Sequence, residues 1–229
     1  MKTAIPNIEE FEIFEDLSLR KKARLKQIAM LQQLKRGEFV YLPGDESSYV
    51  YLLASGRVKI AKISENGKEL TLSFHNPGEL FGELALLNDE PRRTMAVLTE
   101  ASRIWVLPKV EFLEIVSTSP KFSLALSTII GQRRHDLENR MESLVFKDVP
   151  ARLAGQILRL ADQYGKRYEN EIVINIKLSQ LELANLIGAT RETTSTAIND
   201  MKRAGILDTS HRTIIIRDIE ALQDIKESL

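Results

Sequence analysis

The chain has no cysteine. That absence excludes disulfides, cysteine-ligated iron–sulfur clusters, thiol redox switches and thiolate zinc sites. Net charge is missing too, since 32 Lys and Arg offset 32 Asp and Glu. Any nucleic-acid contact must therefore come from a local basic patch and not from a polycation. Long apolar runs are lacking: the opening MKTAIPNIEEFEIFEDL is broken by acids, and no later stretch is apolar enough to cross a bilayer. A cytoplasmic location with no membrane partner is expected. The sequence also holds no paired His/carboxylate metal motif, no nucleophile elbow and no Walker loop. No enzymatic activity, catalytic residue or metal site is expected. What is present is 43% hydrophobic content over 229 residues, enough for one large or two ordinary domains with real cores.

From Phe39 to about Leu107, short strand-like runs alternate with Gly44, Gly56, Gly67 and Gly78. Their roughly eleven-residue rhythm predicts a compact all-β unit. The runs YVYLLA (49–54), RVKIAKI (57–63), LTLSFH (70–75) and RIWVLP (103–108) are rich in β-branched and aromatic residues. Ahead of them, Ser18 is placed to cap a basic helix from Leu19 to Met30.

The pattern changes after Pro108. From Ser119 to about Phe146 only Gly131 interrupts, and Leu126, Ile130, Leu137, Met141 and Leu144 recur at spacings that put one apolar stripe on a long helix. The same helix carries Arg133, Arg134, His135, Asp136, Glu138, Asn139 and Arg140, which favours a seam between two chains; the alternative is a helix packed on its own β-domain. Asp148, Val149 and Pro150 then break the helix, because a residue before proline is pushed out of helical space, and the hinge is placed there. Beyond it follow an apolar helix (151–164), a polar connection, a short strand (172–176), and helices at 179–186 and 191–203 joined by Ile187, Gly188, Ala189 and Thr190. A hairpin closes the series, with Ile206 and Leu207, a polar turn from Asp208 to Arg212, and Thr213 to Ile216. That order predicts a winged helix-turn-helix.

Within it, Ser179 caps the first helix and Leu181, Ala184, Leu186 and Ile187 form its expected inner face. Gly188 permits the turn and Thr190 caps the second helix, where Ala197, Ile198 and Met201 face inward. The start of that helix, Arg191, Glu192, Thr193, Thr194, Ser195 and Thr196, suits the major groove of double-stranded DNA. Arginine can bridge guanine O6 and N7, and glutamate can accept from cytosine N4. Hydroxyls at the helix N-termini suit phosphates, as do Lys202, Arg203, Arg212 and His211. The segment from Asp148 onward is not basic overall, so DNA affinity is expected to need two copies.

Four blocks in order, PGDESSYVYLLASGRVKI (43–60), FGELALLNDEPRRTMAV (81–97), FKDVPARLAGQIL (146–158) and IGATRETTSTAINDMKRAGIL (187–207), resemble the Crp/Fnr superfamily, the catabolite activator type of bacterial regulator. The resemblance covers nearly the whole chain. It implies an α+β fold: an N-terminal double-stranded β-roll of the jelly-roll-like, cyclic-nucleotide-binding kind at 1–118, a dimerisation helix at 119–147, and a winged helix-turn-helix at 148–229. It implies a ligand-responsive homodimer on a pseudo-palindromic operator, with RNA polymerase as a further partner. Gly82, Glu83 and Leu84 would open an effector cassette, where a backbone nest, a short helix dipole and an arginine neutralise a phosphate and Glu83 accepts from a ribose hydroxyl. Counting forward from Gly82, the activator-type cassette that the resemblance implies would place its phosphate arginine at Arg93 and a hydroxyl at Thr94; Arg92 is the neighbouring alternative, because the kinase-type cassette is one residue shorter. No cofactor is required; cyclic AMP or cyclic GMP is the implied effector. The alternative within the fold is a haem-based gas-sensing or nitrosative-stress regulator, for which His75, His135 and His211 supply the imidazoles and a methionine or terminal amine a further ligand. A ligand-sequestering module and a nucleotide hydrolase are the remote alternatives.

Two departures from the family pattern stand out. Where cyclic-AMP-responsive relatives present threonine and serine or asparagine to the purine, this chain has Leu137 and Glu138, which leaves the purine contacts open. Thr196 replaces the second arginine of the activator-type recognition helix, while Glu192 and Ser195 also fit the fumarate-nitrate branch.

Overall fold

The computed structural model describes residues 6–87, 89–169 and 171–228, and its contacts divide the chain into two compact units, Met1–Arg133 and Arg134–Leu229.

The first unit opens with two short 3-10 turns and helix α1 (Leu19–Ile28). Strands β1 (Met30–Leu34), β2 (Phe39–Tyr41), β3 (Tyr49–Ser55), β4 (Val58–Ile63), β5 (Glu69–His75), β6 (Leu80–Phe81), β7 (Met95–Leu98) and β8 (Ser102–Pro108) follow. They form two antiparallel sheets in the orders β1-β8-β3-β6 and β2-β7-β4-β5. The unbroken apolar run at β3 has a physical reason. Because side chains alternate across a strand, Val50 and Leu52 join Phe14, Phe112 and Phe122 in a core beneath the helices, while Tyr51 and Leu53 join Tyr41, Phe81, Ala96 and Ile104 in a second core fed by both sheets. The glycine rhythm marks turns with positive φ, most stringently at Gly56 (φ +91), where an added Cβ would lie 2.1 Å from the Ser102 hydroxyl.

Three local details differ from the sequence reading. Helix α1 stops at Ile28, two residues short of the expected end, because Met30 is claimed by the ladder opposite Val106 in β8. Ser18 occupies the N-cap position but its hydroxyl makes no capping bond. Helix α2 (Lys109–Ser117) precedes the long helix α3 (Pro120–Phe146) and was not anticipated, its nine residues being too few to show a period.

The apolar stripe of α3 serves two purposes. Phe122 and Leu126 are buried and Ile130 is packed against the same core, where Phe14, Phe112 and Phe122 meet at ring-centroid distances of 5.5–6.3 Å. From Leu137 onward the stripe is uncovered: Leu137, Met141, Leu144, Val145 and Phe146 are all exposed.

In the second unit Asp148 caps α4 (Val149–Tyr164) by accepting from the Ala151 N–H at 2.8 Å, with Pro150 in the first turn, where no helical N–H is needed. Ala151, Leu153, Ala154, Ile157 and Leu160 form its buried face. Strands β9 (Gly165–Tyr168) and β10 (Glu171–Ile174), helices α5 (Gln180–Ile187) and α6 (Arg191–Arg203), strands β11 (Leu207–Ser210) and β12 (Thr213–Ile216), and helix α7 (Ile219–Glu227) complete it, the strands ordered β11-β12-β10-β9. On α5, Ala184, Leu186 and Ile187 are buried as expected, but Leu183 takes the inward place expected of Leu181, which is exposed. The hairpin turn is tighter than expected, since Ser210 pairs with Thr213 and only His211 (φ +49) and Arg212 (φ +66) lie between them.

Candidate effector site and nucleic-acid interface

Gly82 takes a left-handed conformation (φ +72) that ends β6, and an added Cβ would sit 3.0 Å from Arg92 Nη1 and 3.1 Å from the Tyr51 ring. The helix that follows is a four-residue 3-10 turn, Glu83–Leu86, too short to supply much of a dipole. Glu83 is buried and its Oε1 lies 2.7 Å from Arg133 Nη1, near the middle of α3. Arg133 also donates through Nη2 to the Leu80 carbonyl. Leu84 is exposed.

Of the two candidate arginines, only Arg92 enters this site. Its backbone is pinned by Gly44 N–H donating to its carbonyl and its own N–H donating to Asp45 O, both at 2.8 Å. That pairing fixes which of two successive side chains faces inward. The buried guanidinium donates to Gly82 O at 2.9 Å and to Tyr49 O, and stands 4.4 Å from the Tyr41 ring centroid and 5.7 Å from that of Tyr51. Its Nε is buried without a hydrogen-bond partner. Arg93 lies outside, 74% exposed and ion-paired to Glu90 at 2.7 Å. Thr94 is half-buried and hydrogen-bonded to the Tyr41 hydroxyl.

The sequence reading missed the interior that surrounds Arg92. Tyr41, Tyr51, Phe81 and His75 form a row with successive centroid distances of 5.8, 5.2 and 5.7 Å. Burial raises both tyrosine pKa values against the opposing pull of Arg92, and of Thr94 at Tyr41. His75, at the end of the row, is buried with Nε2 3.1 Å from Ser73 Oγ and Nδ1 3.1 Å from Glu79 Oε2; Arg133 Nη2 lies 3.3 Å from that same Nδ1. Burial works to raise the pKa of Glu79, but the His75 hydrogen bond and charge, with Asn76 and Arg133, outweigh it and hold the carboxyl below its ordinary range. The only sequence signal for this row was the alternation along β3. Leu137 and Glu138 fall in the second unit; Leu137 is exposed and Glu138 pairs with Arg134 at 2.8 Å.

In the helix-turn-helix, Ser179 and Glu182 make a reciprocal capping box. The Ser179 hydroxyl accepts from Glu182 N–H at 3.2 Å, and the carboxylate accepts from Ser179 N–H at 2.7 Å. Gly188 (φ +64) closes α5, and Thr190 caps α6 by accepting from Thr193 N–H at 3.2 Å. Thr194 is buried and donates to Thr190 O. Ala197, Ile198 and Met201 are buried as expected, leaving Arg191, Glu192, Thr193 and Thr196 exposed and Ser195 partly so. The flanking cations are less available: Lys202 lies 3.0 Å from Asp208, and Arg203 pairs with Asp200. Arg212 and His211 are exposed at the tip of the wing. Among the described residues no helix is long and apolar enough to cross a membrane.

A cyclic nucleotide-binding domain model matches residues 31–119, and a Crp-like helix-turn-helix domain model matches residues 151–225. Together with the geometry above they define a ligand-responsive transcription regulator, and the chain belongs to the Crp/Fnr family. Over 187 residues it is 30% identical to the CRP-like cAMP-activated global transcriptional regulator of Mycobacterium tuberculosis, covering 82% of this chain and 84% of that protein. It is 28% identical over 191 residues to the cyclic AMP receptor protein of Thermus thermophilus, covering 83% and 85%. A solved structure of a CooA mutant from Carboxydothermus hydrogenoformans is similar with a TM-score of 0.77 at 28% identity, over 88% of this chain and 89% of that one. The Mycobacterium tuberculosis relative is a transcriptional regulator, and the helix-turn-helix implies DNA binding by a dimer.

Proposed function

We propose that the chain is a homodimeric regulator whose β-roll binds a cyclic nucleotide and whose α6 helices read a pseudo-palindromic operator. The functional division follows residues 1–118, 119–147 and 148–229, with RNA polymerase as the further partner and the cytoplasm as the setting. The observation that carries the effector reading is Arg92: a buried guanidinium beside the left-handed Gly82, with an unpaired Nε. A buried cation with a spare donor suits a phosphodiester, which can take two parallel N–H bonds from one guanidinium. Arg92, and not Arg93, is therefore assigned the phosphate, while Glu83 offers its second carboxylate oxygen to a ribose hydroxyl and Thr94 a hydroxyl nearby. The nucleotide reading is preferred to haem because both ring nitrogens of His75 are engaged within the roll and His135 and His211 lie on the outside.

On the DNA side, Arg191 and Glu192 are assigned to base edges, Thr193, Ser195 and Thr196 to neighbouring bases and phosphates, and Arg212 to the backbone at the wing. Two such helices must stand about 34 Å apart to enter successive major grooves. The seam is assigned to Leu137, Met141 and Leu144.

Calorimetric titration of cyclic AMP and cyclic GMP into wild type, Arg92→Met and Arg93→Met tests the assignment. Arg92→Met is expected to weaken binding by about tenfold or more, the scale of a lost charge-assisted hydrogen bond, with Arg93→Met unchanged. Loss confined to Arg93→Met would return the phosphate to Arg93. Binding of neither nucleotide by wild type would overturn the cyclic-nucleotide reading.

A further inference from the structure

The second unit contains an arginine to which neither proposed site assigns a role. Arg140, on the lower half of α3, donates through Nη2 to the carbonyls of Leu186 and of Asn185 (3.5 Å), in the last turn of α5. The final carbonyls of a helix have no partner within it. Here the Ala184 carbonyl is taken by the Ala189 N–H at 3.0 Å across the Gly188 turn, and the two that follow are taken by Arg140. A cation at a helix C-terminus is also favoured by the aligned peptide dipoles. One turn further along α3, Leu144 Cδ2 lies 3.1 Å from where a Cβ on Gly188 would stand, so the same face of α3 meets the turn once by charge and once by apolar contact. Burial, then the repulsion of Arg159, lowers the Arg140 pKa to about 10, which still leaves it charged at neutral pH.

We infer that Arg140 is a positioning residue for DNA reading: by holding the end of α5 against α3, it fixes the direction in which α6 leaves the turn. Thr190 and Arg191 follow Gly188 within three residues, so the recognition helix inherits whatever orientation that turn is given. The inference rests on the proposed homodimeric operator reading. If α3 is the seam, Arg140 in each chain sets the separation and rotation of the two α6 helices; the cation itself need not touch DNA.

The test uses the full-length protein and an operator selected from random duplexes in the presence of whichever cyclic nucleotide stabilises the protein more. Fluorescence anisotropy then measures affinity for that operator and for versions with one or two base pairs added to or removed from the spacer. Wild type is expected to prefer one spacing sharply. Arg140→Met is expected to lose about tenfold at the preferred spacing and little elsewhere, so that the spacing profile flattens, with Arg140→Lys intermediate. Nucleotide affinity and the dimer in sedimentation are expected to stay as in wild type. A variant profile of unchanged shape, whether at full affinity or uniformly lowered, overturns the positioning role while leaving the operator reading intact. A wild type indifferent to spacing overturns the dimeric reading and the positioning role with it. Should Arg140→Met fail to fold, Arg140→Lys and Arg140→Gln decide by the same comparison of profile shapes.

Discussion

A guanidinium stacked on tyrosine and stripped of water is an expensive group to leave half-satisfied, which is why Arg92 dominates the roll interior. Around it Glu83 is ion-paired to Arg133 and Glu79 is hydrogen-bonded to His75. The Glu79 pair has a definite pH signature. Its carboxyl titrates below the ordinary 4.5, so the stabilisation it contributes is complete above that value and is lost as pH falls through the lower folded-state pKa. Thermal unfolding followed downward from about pH 5.5, below the ordinary range of histidine, is expected to show wild type losing more stability than Glu79→Gln, the two curves converging in strong acid. Parallel curves would remove Glu79 from the network. Sequence alone offered Arg92 and Arg93 as neighbours one count apart. What separates them in the structure is a pair of backbone bonds to the Gly44–Asp45 loop, a contact across nearly fifty residues that no local pattern encodes.

At the level of elements, the helix-turn-helix was the most legible part because its punctuation is local. Ser179 with Glu182, Gly188, and Thr190 each specify a helix end through bonds spanning three to five residues. Strands as short as β6 and β7, and helices as short as α2 and α7, carried too little periodicity to be seen. The wing turn was hidden for another reason, since His211 and Arg212 adopt positive φ without glycine. The α3 stripe was legible as a stripe, but its division was not: Leu126 and Ile130 belong to the β-roll core, while Leu137, Met141 and Leu144 stay exposed in one chain. If that uncovered half is the seam, the double substitution Leu137→Glu with Met141→Glu, which sets like charges at i and i+4 along it, is expected to yield monomers in sedimentation velocity, with nucleotide binding kept and operator binding lost. Persistence of a stable dimer would place the seam elsewhere.

Across the whole molecule, overall neutrality shapes how DNA is met. Lys202, Arg203 and Arg217 are already committed to Asp208, Asp200 and Glu171, so few cations around the recognition helix are left for phosphates. Operator affinity is therefore expected to fall shallowly with added salt. Between about 50 and 200 mM, a protein making six to ten phosphate contacts loses roughly a thousandfold or more, and this dimer is expected to lose distinctly less in anisotropy titrations. A steep slope would mean that the internal ion pairs open on the duplex.

Those same pairs bear on how a target is found. With Lys202, Arg203 and Arg217 each paired to a neighbouring acid, the regulator has little to grip on random sequence, so excursions along the double helix should be brief and most encounters should begin from free solution. Occupancy at a promoter would then be governed by how many molecules have effector bound, with only a small share lost to the bulk of the chromosome.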